Sequence, residues 1–142
     1  MPNLFPIPLM QRATLLVPSG ADASSDTKHL FIVLTDPHSN DLYAQPHCLM
    51  VNISTVREHI TYDAACILKS GDHPFVKQDS FVFYAKARVE SETKINSMIS
   101  DGAFIRKEML EQTVFERVVC GLYASVHTAP KHLKFYESAC GG

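Results

Sequence analysis

The first 90 residues contain a succession of short β-forming segments, separated by turn residues rather than by helical stretches. The strongest segment is 28–35, whose centre is continuously apolar, so we predict a strand buried on both faces. Further strands are predicted at 14–17, 48–55, 65–68 and 80–84. Short strands joined by turns form antiparallel sheets that bend strongly, and we therefore expect a small antiparallel β-barrel.

After residue 90 the spacing of the apolar residues changes from that of a strand to that of a helix. Ser91 is predicted to cap a helix that ends at Asp101-Gly102. A longer amphipathic helix is predicted over 107–124, and a short one starts near Pro130. Strands first and helices afterwards indicate an α+β fold in which the helices cover one open side of the barrel.

A chain of 142 residues is predicted to form a single domain. Three prolines make residues 1–13 a loosely attached N-terminal arm. The barrel is expected at 14–90, with a small polar loop at 21–27, and the helices at 91–138. Residues 139–142 are expected to form a flexible tail.

The longest apolar run has five residues, 30–34, which is far short of the roughly 20 that a membrane helix needs. The N-terminus lacks the basic and apolar regions of a signal peptide, so a cytoplasmic location with no membrane association is predicted. The four cysteines form no C-x-x-C pair, and reduced, buried thiols are therefore expected.

The net charge of −2 argues against a protein that coats nucleic acids non-specifically. A local basic groove is still compatible with this charge, because segment 69–88 carries a surplus of positive side chains. These cations are Lys69, Lys77, Lys86 and Arg88. The alternative interpretation is a solvated strand edge that lysines protect from aggregation.

Polar side chains at the end of the third predicted strand are the first candidates for a functional site. Ser54 and Thr55 offer hydroxyls and Arg57 follows them, so the group suits a phosphate or a sugar hydroxyl. In the alternative interpretation the two hydroxyls only cap a turn.

No nucleotide-binding glycine motif, zinc-protease motif or hydrolase motif is present. A zinc site at His47-Cys48 and Asp72-His73 has suitable residue types, but their spacing does not require one, and no metal is predicted. A Cys–His nucleophile lacks the cationic surroundings that would activate the thiol.

The order of these segments resembles the MazF/PemK-type toxin family, growth inhibitors with an SH3-like barrel. The likeness rests on three segments: Lys28-His-Leu-Phe-Ile-Val-Leu-Thr35, Val51-Asn-Ile-Ser-Thr55, and Phe75-Val-Lys-Gln-Asp-Ser-Phe-Val82 leading to Arg88. It spans roughly residues 14–124. The resemblance implies metal-independent endoribonuclease activity on single-stranded RNA, an antitoxin partner, and a cytoplasmic toxin–antitoxin role. A homodimer is also expected, because small barrels often bury an edge or an apolar face that way.

The resemblance also assigns site residues. Lys28 stands where the family has its catalytic Arg, His29 replaces the customary proline, and Ser54 replaces the usual Thr. We predict the catalytic residues Lys28, His29, Ser54, Thr55 and His73. His73 has no counterpart in the family, and both histidines are acid–base candidates on residue type alone. The predicted substrate-binding residues are Arg57, Lys69, Lys77 and Arg88.

A second hypothesis is a non-catalytic SH3-like module that binds a protein or a nucleic acid through the same face. In this case partner binding is expected to depend on aromatic residues more than on the hydroxyls. These aromatic residues are Phe75, Phe81, Phe83 and Tyr84. Alternate residues of a strand face opposite sides, so Phe81 with Phe83 and Val82 with Tyr84 are predicted to lie on different faces.

Overall fold

The computed structural model describes residues 8–18 and 28–141. They form an α+β fold, as predicted, with one curled antiparallel sheet and three helices. The strands are β1 Thr14–Pro18, β2 Lys28–Val33, β3 His47–Thr55, β4 Ile67–Leu68, β5 Ser80–Ser91 and β6 Ile105–Lys107. The helices are α1 Glu92–Ser100, α2 Gln112–Ala124 and α3 Pro130–Ala139.

The six strands lie in the order β4-β5-β3-β2-β1-β6, and every neighbouring pair is antiparallel. The register of β3 against β5 shifts from Met50↔Arg88 to Asn52↔Phe83, so β5 contains a bulge at this point. A bulge bends and twists the strand that carries it, and the sheet curls accordingly. Strands β4 and β6 remain the two edges, so the described strands form an open half-barrel rather than a closed one.

The two faces of the sheet carry separate apolar cores. One core joins the sheet to α2 and α3 and includes Leu30, Ile32, Leu49, Val51, Val82 and Tyr84. The other core lies under α1 and includes Leu15, Phe31, Val33, Cys48 and Met50. The helices therefore cover both faces, which corrects the prediction that they cover one side. The apolar continuity of β2 required this outcome, because a strand buried on both faces needs a layer on each side.

Residues 107–111 were predicted to begin the second helix, and they instead end an edge strand and form a linker. Strand β6 pairs with β1 from Thr14↔Lys107 to Leu16↔Ile105. The backbone N–H of Leu110 donates to the Arg12 carbonyl (2.8 Å), and Arg12 Nε donates to the Leu110 carbonyl (2.7 Å). These bonds hold residues 105–110 against the sheet, so α2 begins at Gln112 rather than at residue 107.

Residues 8–13 pack against the sheet, although a loosely attached arm was predicted there. Leu9 and Ala13 are buried in the core under α1. The N–H of Gln11 donates to Asp36 Oδ1 (2.9 Å), and the N–H of Arg12 donates to the Val33 carbonyl (3.0 Å). Residues 1–7 and the predicted polar loop at 21–27 lie outside the described residues.

Helices α1 and α3 begin where the sequence predicted. Ser91 caps α1, where its Oγ accepts a hydrogen bond from the N–H of Lys94 (3.0 Å). Pro130 begins α3, where its missing N–H leaves no bond unmade. Within the described residues, none of the helices has the length and apolar character needed to cross a membrane.

Helix α2 approaches β5 closely at Gly121, opposite Tyr84. The Tyr84 hydroxyl donates to the Val118 carbonyl (2.6 Å), and burial raises the pKa of this phenol. A Cβ at residue 121 would contact the Tyr84 hydroxyl and lie 2.9 Å from Cys66 Cβ. Only a glycine therefore lets α2 reach this depth.

Gly121→Ala should lower the free energy of unfolding by about 1–3 kcal/mol, because the added methyl group overpacks the contact between α2 and β5. In a Tyr84→Phe background the additional loss should be smaller, since the hydroxyl is absent. Urea denaturation measures both effects, and the exposed Ser97→Ala in α1 serves as a control that should change stability by less than about 0.5 kcal/mol. A Gly121→Ala protein as stable as the wild type would contradict this packing.

Candidate functional site

Helix α1 covers only part of the sheet face on which it lies. Along β3, Cys48 and Met50 are buried in the core under α1, whereas Asn52 and Ser54 continue on the same face beyond it. Along β2, Val33 and Phe31 contact that core, and the face ends at His29. The part of the sheet that α1 leaves uncovered is therefore lined by polar side chains.

One cleft at this end of the sheet, here called the basic cleft, has a volume of about 290 Å³. Its lining includes the predicted site residues Lys28, His29, Ser54, Thr55, Arg57 and Lys77. They come from β2, from the end of β3, and from the loops that follow β3 and β4. The structure thus brings together six of the nine residues that the sequence had suggested.

The basic cleft has an excess of positive charge. Within the described residues, Lys28, Arg57 and Lys77 form no ion pair with a carboxylate. All three side chains are exposed, so each can move to meet a bound anion. The cleft is therefore suited to a ligand that carries several negative charges, such as a phosphodiester chain.

His29 is the side chain of the basic cleft that is best suited to proton transfer. Its Nδ1 lies 3.2 Å from the carbonyl oxygen of Ile53, which can only accept a hydrogen bond. Nδ1 therefore carries the hydrogen, and Nε2 has the free electron pair. This tautomer gives the cleft a potential general base.

Two further pockets adjoin the basic cleft and share Ser54 with it. The first, here called the aromatic pocket, has a volume of about 490 Å³ and includes Tyr62, Phe81 and Phe83. The ring centroids of Tyr62 and Phe81 are 5.4 Å apart and stacked, and those of Phe81 and Phe83 are 5.2 Å apart. Val82 and Tyr84 belong to the opposite core, so the prediction that the two pairs face different sides is confirmed.

The second adjoining pocket, here called the Asn52 pocket, has a volume of about 450 Å³. It is lined by Pro18, His29, Phe31, Asn52, Ser54, Phe83, Lys86 and Arg88. The Lys86 ammonium lies 5.1 Å from the centre of the Phe83 ring, and the Arg88 guanidinium lies 4.8 Å from that of Phe31. Cations and aromatic rings therefore alternate on this part of the sheet.

Of the three predicted site residues outside the basic cleft, Arg88 lines the Asn52 pocket, and His73 and Lys69 line none of the three pockets. His73 is only 2% exposed. Its Nδ1 accepts a hydrogen bond from the N–H of Phe75 (3.0 Å), and its Nε2 donates to the carbonyl of Glu108 (2.7 Å). Lys69 forms an ion pair with Asp79 (3.6 Å) and lines none of the three pockets.

Sequence reasoning missed Asn52 and Tyr62 as lining residues of this surface, whereas Lys86 had been included among the cations of a possible basic groove. Asn52 had a detectable signal, because an amide in the middle of an otherwise apolar strand marks a place where burial is interrupted. Tyr62 had no such sequence signal, because only the tertiary fold brings the irregular segment after β3 next to β5.

The cysteines form no reactive centre on this face. Cys48 is fully buried, and burial raises the pKa of its thiol to about 12. Burial also raises the pKa of Cys66. Within residues 8–18 and 28–141, no three histidine, cysteine or carboxylate side chains cluster as a metal site would need.

Comparison with known protein families, with curated proteins and with solved structures finds no significant match to this chain. The site must therefore be interpreted from its own geometry.

His73→Ala should lower the free energy of unfolding by about 1–3 kcal/mol, because the Glu108 carbonyl and the Phe75 N–H lose a buried partner. Urea denaturation of the variant gives this value directly. His127→Ala, which removes an exposed imidazole, is the matched control and should change stability by less than about 0.5 kcal/mol. Equal stability of the two variants would show that the His73 hydrogen bonds contribute nothing to the fold.

Proposed function

We propose that this chain is a MazF/PemK-like protein whose basic cleft binds single-stranded RNA and cleaves it without a metal ion. The observation that carries the proposal is the convergence of His29, the Ser54 and Thr55 hydroxyls and three cations that form no ion pair within 8–18 and 28–141. In this proposal the curled sheet corresponds to an SH3-like barrel.

The chemistry that fits the cleft is attack by a ribose 2′-hydroxyl on the adjacent phosphate. His29 Nε2 accepts the proton of the 2′-hydroxyl as the O2′–P bond forms. Lys28, Arg57 and the Ser54 hydroxyl stabilise the charge that develops on the phosphorane oxygens. The P–O5′ bond then breaks, and a protonated side chain of the cleft, Lys28 in this proposal, gives its proton to the leaving oxygen. The products are a 2′,3′-cyclic phosphate and a 5′-hydroxyl.

The replacement of the family's Arg by Lys28 has a physical consequence. An ammonium is a point charge on a flexible chain, whereas a guanidinium contacts two phosphate oxygens at once. Arg57 and Lys77 line the same cleft and supply additional positive charge. The proposed antitoxin would cover the cleft with an acidic segment, because the cleft carries an excess of positive charge.

A second candidate function is RNA binding without cleavage. It is favoured by the aromatic rings beside the cations, since bases of any sequence stack on such rings while lysine and arginine contact the backbone. A non-catalytic SH3-like module would use this surface and would not need His29.

His29→Ala should slow cleavage of an end-labelled single-stranded RNA of about 30 nucleotides by about 100-fold or more, because the variant lacks the general base. The reaction is run in EDTA, which metal-independent cleavage tolerates, and the RNA termini are analysed for the cyclic phosphate. Affinity for the RNA should change by only a few fold, since three cations remain. Lys69→Ala, outside the cleft, is the matched control and should cleave at the wild-type rate.

Wild-type cleavage rates in His29→Ala would contradict the catalytic assignment. A wild-type protein that binds the RNA and never cleaves it would support the non-catalytic module instead. A wild-type protein that does not bind the RNA at all would overturn both candidate functions.

A further inference from the structure

The Asn52 pocket contains two polar side chains whose hydrogen-bonding capacity is not used within the described residues. Asn52 is only 5% exposed, and its Oδ1 has no hydrogen-bond partner there. Arg88 Nε is buried and likewise has none; the nearest carboxylate oxygen, Glu90 Oε1, is 3.6 Å away. Buried polar atoms in native proteins nearly always have partners, so this pair indicates a place where a ligand completes the bonding.

We propose that the Asn52 pocket holds one unstacked adenine of the RNA bound in the basic cleft and reads it through the Asn52 amide. This inference rests on the proposed RNA binding and adds to it a base preference. It requires neither cleavage nor any particular catalytic residue.

The position of the pocket favours a base of the same strand. Ser54 and His29 line both the basic cleft and the Asn52 pocket, so the two cavities are continuous. A phosphate held by Lys28 and Arg57 therefore leaves a neighbouring base next to β3. The volume of about 450 Å³ lies within the usual range for small-molecule sites.

The chemistry of the pocket favours adenine. A carboxamide presents an acceptor and a donor side by side, which match the N6 amino group and the N7 nitrogen of adenine. In single-stranded RNA this edge is accessible, and protein side chains commonly read it. The rings of Phe31 and Phe83 form apolar walls for the base, and Arg88 Nε offers a donor to another ring nitrogen.

A rival occupant is guanine, because an arginine commonly contacts O6 and N7 of this base. The Arg88 guanidinium, however, already lies over the Phe31 ring and pairs with Glu90. The Oδ1 atom of Asn52, in contrast, has no hydrogen-bond partner in the part of the chain that the structure describes. Hydrogen bonding between the Asn52 amide and the base therefore determines which base the pocket prefers.

The test is fluorescence anisotropy with labelled RNA octamers of uridine that carry one central A, C, G or U. The octamers carry 2′-O-methyl riboses, which have no 2′-hydroxyl nucleophile and stay intact, so the parent is the wild-type protein with its pocket unchanged. Octamers with adenine should bind at least about fivefold more tightly than those with cytosine or uridine. Asn52→Ala and Asn52→Leu, whose side chain has the branching of asparagine without its polar atoms, should remove this preference and bind all four octamers alike. Asn96→Ala, an exposed asparagine on α1, should keep it.

The urea midpoint of both Asn52 variants should equal or exceed that of the parent protein, because a buried amide without a partner is removed. A preference for guanine, or an adenine preference that survives in Asn52→Leu, would overturn the inference. Equal binding of all four octamers by the parent would overturn it as well, and would leave RNA binding itself standing. No binding of any octamer would overturn the proposed function and this inference together.

Discussion

The alternation of side chains along β3 is the constraint on which the rest of this structure depends. Leu49, Val51 and Ile53 point to one face and are all buried in the core with α2 and α3. On the other face, Cys48 and Met50 are buried under α1, and the strand then changes to Asn52 and Ser54. One face of the sheet is thus apolar over the full strand and the other over only half of it. The apolar positions on both faces belong to the two cores, whereas Asn52 and Ser54 line the pockets beyond α1.

A site built in this way has its polar groups on rigid strands beside a core. Hydrogen bonds and charges at such an edge act in a lower dielectric than bulk water, so each contact with a ligand is stronger there. The loops that follow β3 and β4 add Arg57 and Lys77, whose side chains are exposed. Strands therefore position the imidazole of His29 and the amide of Asn52, and loops supply positive charge.

Much of this arrangement could be predicted because it depends on local pattern. The two-residue alternation around Phe81–Tyr84, the serine cap at residue 91 and the proline at residue 130 each have one physical interpretation, and all three were correct. Lys28, Ser54 and Lys77, which lie in three segments far apart in the sequence, line one cleft in the structure.

The features that the sequence did not reveal are those created by distant contacts. Strand β6 is only three residues long and forms because β1 offers a free edge, so no local pattern announces it. The residue type and position of His73 are typical of an active-site group. Its ring is nevertheless buried and hydrogen-bonded to the Glu108 carbonyl, 35 residues further along the chain. In the sequence, Asn52 is a polar residue within an apolar strand. That its Oδ1 has no hydrogen-bond partner within the described residues follows only from the packing around it.

The most direct test of the central claim is photocrosslinking of the protein to a single-stranded RNA that contains 4-thiouridine, with the crosslinked peptides identified by mass spectrometry. If RNA binds to the part of the sheet face that α1 leaves uncovered, crosslinks should fall on 28–31, 52–62 and 75–88. Tyr123, which is 51% exposed on α2, and Tyr136 on α3 lie on the opposite side of the sheet and should remain unlabelled. Crosslinks concentrated on these two tyrosines would contradict the account.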